Sequence, residues 1–190
     1  MKEFCNPMNI EYKYQHYHDY AHRESADPTL VFFKGKYYIF PSMCLGFYYS
    51  DDMVNWEFYQ GNIPEAYAYA PDVCVVGDYL VFCASSKVRQ RTFWRTTDPL
   101  GGKFEPCCAP PFYFFDPAMF RDDDGRIYFY WGCDCGIPLY GIELDRETLM
   151  PIGKEVITIR GDFKNHGWER KEYPGKPEKP LTPEQKIVIK

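Results

Sequence analysis

Three aspartates beside prolines are the residues of this sequence whose type and spacing could do chemistry. Asp27 and Asp116 each precede a proline, Asp72 follows one, and they lie 45 and 44 residues apart. Carboxylates gathered in one cavity serve as acids and bases, because crowding and exclusion of water raise the pKa of some of them. The alternative is that each aspartate caps the backbone amides of a turn. The repetition favours a role in a shared cavity for at least two of them, and Asp72 is the weakest candidate because it follows its proline.

The elements around these aspartates form a repeat. Each aspartate is followed by a short apolar strand, a glycine turn and an aromatic strand. A second mark, an aspartate that ends a later strand, recurs at Asp51, Asp98 and Asp145 with a spacing of 47 residues. A period in the forties with four strands per repeat is typical of a β-propeller blade. Because first strands line the channel of a propeller, we expect the three aspartates to face one end of it.

The sequence therefore predicts an all-β fold, a β-propeller of four-stranded blades of which about three are present. We place an N-terminal arm at residues 1–25, blades at 26–62, 68–106 and 112–160, and a polar, proline-rich tail at 161–190 that could begin a missing blade. Propellers close with at least four blades. Three blades leave two open apolar faces, through which we expect self-association.

Composition narrows the choice of partners. The chain has 190 residues, a formal net charge of −5 and 19% aromatic residues. An acidic chain without a basic stripe argues against nucleic acid, and no apolar run predicts a membrane partner. We expect a cytoplasmic protein, or a secreted one if a signal peptide has been removed. The cysteines near strands, which behave as small apolar residues, suit a reducing compartment.

Two segments could hold a metal, and neither is strong. His16 and His18 lie in a tyrosine-rich arm with no carboxylate or cysteine nearby to complete a ligand set. The acidic run from Asp122 to Asp124 lacks the spacing of an EF-hand and is better explained as a solvated hairpin tip. We predict no cofactor, with a structural calcium ion in the channel as an alternative.

Several motifs together resemble glycoside hydrolase family 43. They are Ala26-Asp27-Pro28 with residues 33–38, Tyr69-Ala70-Pro71-Asp72-Val73, residues 116–120, residues 122–126, and Tyr130-Trp131-Gly132. The resemblance implies a five-bladed β-propeller that hydrolyses arabinose- or xylose-containing glycosides, or galactosides, with inversion. It implies that Asp27 is the general base and that Asp116 orients the general acid and raises its pKa.

The same resemblance leaves the general acid without a residue. The family's acid is a glutamate before a glycine in blade four. Glu169, in His166-Gly167-Trp168-Glu169-Arg170, resembles the loop before that blade instead. We therefore expect the general acid to be absent and the enzyme to be incomplete, and loss of a general acid costs orders of magnitude in rate.

Four aromatic residues are candidates for a platform under a pentose-containing oligosaccharide: Tyr69, Phe47, Phe115 and Trp131. For each the alternative is packing inside or between blades, and the resemblance places only Tyr69 in a pocket. Two other functions stay open. One is a carbohydrate-binding or inactive pseudoenzyme fragment; the other is a scaffold for protein contacts, against which the acidic centre counts.

Overall fold

The computed structural model describes residues 10–11, 25–61, 63, 68–85, 91–101, 103–132, 138–162 and 165, and the backbone of 15–17 and 20–22. Outside these ranges lie most of the predicted tail, Glu169 and His18. Within the described part of the chain, no helix is long and apolar enough to cross a membrane.

The described residues form fourteen strands, and twelve of these make up three antiparallel four-stranded sheets. A short hairpin in the arm pairs β1 (Gln15–Tyr17) with β2 (Tyr20–His22). Blade one contains β3 (Thr29–Phe33), β4 (Lys36–Phe40), β5 (Phe47–Ser50) and β6 (Glu57–Tyr59). Blade two contains β7 (Asp72–Val76), β8 (Tyr79–Cys83), β9 (Phe93–Thr96) and β10 (Glu105–Cys108). Blade three contains β11 (Ala118–Arg121), β12 (Ile127–Trp131), β13 (Leu139–Leu144) and β14 (Pro151–Ile159).

Within each sheet the strands follow one another in chain order, and β7 lies beside both β3 and β11. The first strands of the blades are therefore neighbours, as expected for strands that line a channel. The predicted fold class, an all-β arrangement of propeller blades, is confirmed.

Local sequence explains the first hairpins. Lys34 and Gly35 both have positive φ, 46° and 83°, between the paired residues Phe33 and Lys36. Positive φ at both central residues matches the twist of a two-residue hairpin, and glycine adopts it without strain. In blade three the acidic run is an exposed hairpin tip, closed by a hydrogen bond from the Asp122 amide to the Arg126 carbonyl at 2.9 Å.

The hydrophobic cores lie between blades. One core joins blades one and two and includes Phe40, Phe47 and Phe82. Another joins blades two and three around Phe93 and Phe129. Each blade thus buries a face against its neighbour, as a propeller requires.

The outer faces of blades one and three are open in the described part of the chain. Leu30 and Phe32 of β3 are 50% and 56% exposed, and Phe120 of β11 is 52% exposed. Part of the blade-one face is covered by the arm, since Ile10 packs beside Ile39 and the Tyr48 hydroxyl donates to the Glu11 carbonyl at 2.8 Å.

Candidate functional site

Three turns before the first strands share one backbone conformation. Asp27, Ala70 and Asp116 have φ of 46°, 44° and 47°. Each of them is followed by a proline, and the first strand of the blade begins directly after that proline. We call these three dipeptides the proline turns. Positive φ is uncommon outside glycine and is seen where the surrounding structure holds the chain in place.

This register corrects the repeat predicted from the sequence. Ala70, not Asp72, occupies the blade-two position that matches Asp27 and Asp116. Asp72 lies two residues after Ala70 and is the first residue of β7, so it corresponds to Thr29, the first residue of β3. The proline recurs at the same position in all three blades. Because the sequence prediction aligned the three aspartates instead, it shifted blade two by two residues relative to blades one and three.

Each proline turn is fixed to the end of the second strand of its own blade. The carbonyl before the turn residue accepts a backbone amide at 2.7–3.0 Å in all three blades. The donor–acceptor pairs are Ser42 to Ala26, Ser85 to Tyr69, and Gly132 to Phe115. This contact holds the turn residue at the same depth in each blade.

Two buried serines connect the turns across blades. The Ser42 hydroxyl lies 3.5 Å from the Asp27 carboxylate, to which it donates, and accepts the Ala70 amide of the next blade at 2.8 Å. The Ser85 hydroxyl likewise donates to the Asp116 carboxylate at 3.5 Å and accepts the Asp116 amide at 2.9 Å. Asp27 and Asp116 therefore lie on one hydrogen-bonded track that crosses three blades. Neither serine was predicted from the sequence as a site residue, although both follow the second strand of a blade.

The carboxylates of this track are accessible. Asp27 is exposed and Asp116 is half-buried, whereas Ser42 and Ser85 are buried. Tyr69, directly before Ala70, is 43% exposed, and Phe115, directly before Asp116, is half-buried. Two carboxylates thus lie on the proline turns of blades one and three, and two aromatic rings lie directly before the turns of blades two and three.

The other two platform candidates belong to the cores. Phe47 is fully buried, with its ring 4.8 Å from the Phe40 ring. Trp131 is 9% exposed and stacks on Phe112 at 4.5 Å between ring centres. Both rings are occupied by packing, so the packing alternative explains them and the platform hypothesis does not.

Asp72 ties the first strands of all three blades together. Its carboxylate accepts the Met119 amide of β11 at 2.5 Å and the Thr29 hydroxyl of β3 at 3.2 Å. Burial raises the pKa of the Asp72 carboxyl to about 6, in spite of hydrogen bonds from Met119, Thr29 and Val73 that lower it. Its contacts are those of a structural bridge at the channel.

A metal ligand set is not formed by the described residues, among which no three His, Cys, Asp or Glu side chains are grouped to hold an ion. The Asp124 carboxylate at the acidic hairpin tip instead pairs with Arg126 at 2.7 Å. A calcium ion in the channel stays a prediction.

Comparison with known proteins shows which fold the chain has. No family model matches the chain, and no curated protein matches it. Among solved structures, a thermostable family-43 glycoside hydrolase matches 89% of this chain and 60% of its own, with a TM-score of 0.63 and 20% identity. The chain has the fold of family-43 glycoside hydrolases.

Two further structures agree. An exo-1,5-α-L-arabinanase from a bovine ruminal metagenomic library matches 74% of this chain and 57% of its own, at TM-score 0.58 and 21% identity. A xylan β-1,4-xylosidase from Bacillus halodurans C-125 matches 73% of this chain and 33% of its own, at TM-score 0.55 and 18% identity. The chain thus spans at most 60% of the length of these three family-43 structures. Sequence identities of 18–21% show that the chain shares the fold of these structures, and they do not show its activity.

Proposed function

We propose that this chain carries part of the active site of an inverting glycoside hydrolase that acts on arabinose- or xylose-containing glycosides. The observation that supports the proposal is the equivalence of Asp27 and Asp116. Both sit at the same left-handed position of a proline turn, and both accept a hydrogen bond from a buried serine. Residues held in strained backbone conformations cluster at active sites.

In the proposed reaction Asp27 is the general base. Its exposed carboxylate takes a proton from a water molecule, and that water attacks the anomeric carbon from the face opposite the leaving group. Inverting glycosidases hold base and acid carboxyls roughly 6.5–9.5 Å apart to leave room for this water. The Ser42 hydroxyl, fixed by the Ala70 amide, limits the rotation of the Asp27 carboxylate.

Asp116 orients the general acid in this proposal. Its carboxylate is held by Ser85 on the same track, and a negative charge near the acid would keep that acid protonated. The acid itself is assigned to none of the described residues, and the residues around Glu169 lie outside them. Without a general acid, turnover on natural substrates would be slow, whereas activated leaving groups need little help from an acid.

The first test is hydrolysis of an aryl α-L-arabinofuranoside and an aryl β-D-xyloside. We expect Asp27→Asn to lower turnover by about 10²–10⁴-fold, the range for loss of a general base. Asp78→Asn, which changes an exposed aspartate on the β7–β8 hairpin, is the matched control and should leave the rate unchanged. Release of the α-anomer from the β-xyloside, followed by proton NMR, would establish inversion. Equal rates for both variants would refute the assignment of the base.

A second candidate function is carbohydrate binding without turnover, which the exposure of Tyr69 favours. An exposed tyrosine directly before one proline turn could stack on a sugar ring while the carboxylates of the other two turns accept hydrogen bonds from the sugar hydroxyls. If neither aryl glycoside is hydrolysed, affinity electrophoresis in arabinan and in xylan tests this function. Tyr69→Ala should then abolish retardation, and Tyr113→Ala, at another exposed tyrosine, should not.

A further inference from the structure

A cavity lies between blades two and three, away from the proline turns. It has a volume of about 430 Å³ and is formed where the β7–β8 and β11–β12 hairpins and the β13–β14 turn meet. The proline turns lie before β7 and β11, whereas this cavity lies at the far ends of the same strands. A five-residue strand such as β7 spans roughly 13–16 Å, so the two regions are at opposite ends of the blades.

Three arginines from three different strands or turns line this cavity. Arg95 comes from β9, Arg121 from the end of β11, and Arg146 from the β13–β14 turn. The acidic residues in the lining are Asp78 and Glu147, so cations outnumber carboxylates. Arginine is the side chain best suited to bind planar carboxylates and phosphates, because its guanidinium donates two parallel hydrogen bonds.

Existing contacts hold two of these arginines in place. The Arg95 guanidinium lies over the Tyr79 ring at 4.5 Å, and its Nε is buried without a hydrogen-bond acceptor among the described residues. The Arg146 Nη2 donates to the Asp124 carbonyl at 2.8 Å, and the Arg146 side chain lines the cavity. Donors fixed in this way lose little side-chain freedom when an anion binds.

The rest of the lining is apolar. Val76, Val81, Ile127 and Leu149 contribute to it, together with the half-exposed ring of Tyr79. A volume of this size suits one small molecule, and apolar walls with a few convergent polar groups are the usual composition of a ligand site.

We propose that this cavity binds a small molecule with an oxyanion attached to a compact ring, a sugar that carries a phosphate or a carboxylate group. The anion contacts Arg121 and Arg146, while the ring packs on Tyr79 and the apolar wall. The proposal does not rest on the glycosidase assignment, since the cavity and the proline turns share no residue.

The test is calorimetric titration of the full chain with three matched probes: glucose 6-phosphate, glucuronate and glucose. We expect at least one of the two anions to bind with a millimolar or lower Kd, and glucose to give no heat from this site. The preferred anion identifies the source of the oxyanion. Arg121→Gln and Arg146→Gln should each weaken binding by about tenfold, the loss expected for one charge-assisted hydrogen bond.

Arg126→Gln is the matched control, because Arg126 lies on the same hairpin as Arg121, is exposed, and pairs with Asp124 without lining the cavity. It should bind as the unaltered chain does. Circular dichroism melting of each variant confirms that the sheet is intact. The proposal is overturned if neither anion binds at about 10 mM, where a millimolar site is mostly occupied. It is also overturned if Arg126→Gln weakens binding as much as Arg121→Gln.

Discussion

Replacement of Asp72 by asparagine should stabilise the protein at neutral pH and do so less as the pH falls. The carboxylate of Asp72 bridges the first strands of three blades, yet burial raises the pKa of its carboxyl from 3.8 to about 6. Asparagine has nearly the same shape and no charge. Its carbonyl oxygen can accept the Met119 amide, and its amide can donate to the Thr29 hydroxyl, which donates in turn to the Pro71 carbonyl at 2.9 Å.

The expected magnitude follows from the pKa. The folded state holds the Asp72 proton more tightly than the unfolded state, so this group lowers the free energy of unfolding as the pH rises from about 4 to about 6. A rise of the pKa from 3.8 to about 6 corresponds to about 3 kcal/mol, which is the upper bound for the gain in Asp72→Asn at pH 7. Near pH 4 the carboxyl is mostly neutral in the folded state and the gain should fall below about 1 kcal/mol.

Urea unfolding followed by tryptophan fluorescence at pH 4, 5, 6 and 7 measures this difference. Asp78→Asn, at an exposed hairpin position, should change the unfolding free energy by less than about 0.5 kcal/mol at each pH. At pH 4, Asp72→Ala should destabilise by about 1–3 kcal/mol, because it leaves the Met119 amide without its acceptor. A gain in Asp72→Asn that is the same at pH 4 and pH 7, or a loss at pH 7, would refute the idea that burial of the charge is what costs stability here.

Two further predictions concern cysteine reactivity and association. The hydrogen bond with Cys108, and then the charge of Arg95, lower the pKa of the Cys107 thiol, while burial raises the pKa of the Cys74 thiol to about 11. At pH 7 iodoacetamide should therefore label Cys107 faster than Cys74, as followed by peptide mass spectrometry, and the reverse order would contradict this. The open faces predict self-association in light scattering, reduced in a Phe32→Ser/Phe120→Ser double variant, whereas a monomeric peak for the unaltered chain would count against it.

The blades could be predicted from the sequence because their signals are local. Aromatic strands and turns such as Lys34-Gly35 recur with a blade-sized period, and local rules of strand and hairpin formation explain them. The roles of the aromatic rings depend on packing, which local sequence rules do not predict. Phe47 and Tyr69 are both aromatic residues beside loops, yet one is fully buried and the other is 43% exposed.

The serine track could not be predicted in the same way, because it depends on contacts between blades. Ser42 and Ala70 are 28 residues apart, and Ser85 and Asp116 are 31 apart. Only the register of neighbouring blades brings these pairs together. The arginine cavity has the same origin, since its cations come from β9, β11 and the β13–β14 turn and have no shared sequence motif.

The blade-two proline turn shows that this backbone conformation does not require an aspartate. Ala70 has the same positive φ as Asp27 and Asp116, although alanine has no side-chain oxygen to support that conformation locally. The backbone contacts of each turn, and not the aspartate, therefore impose the conformation. A turn of this kind can then form without an aspartate. The carboxylates of Asp27 and Asp116, held by buried serines at accessible positions, therefore support the proposal that they act on a ligand.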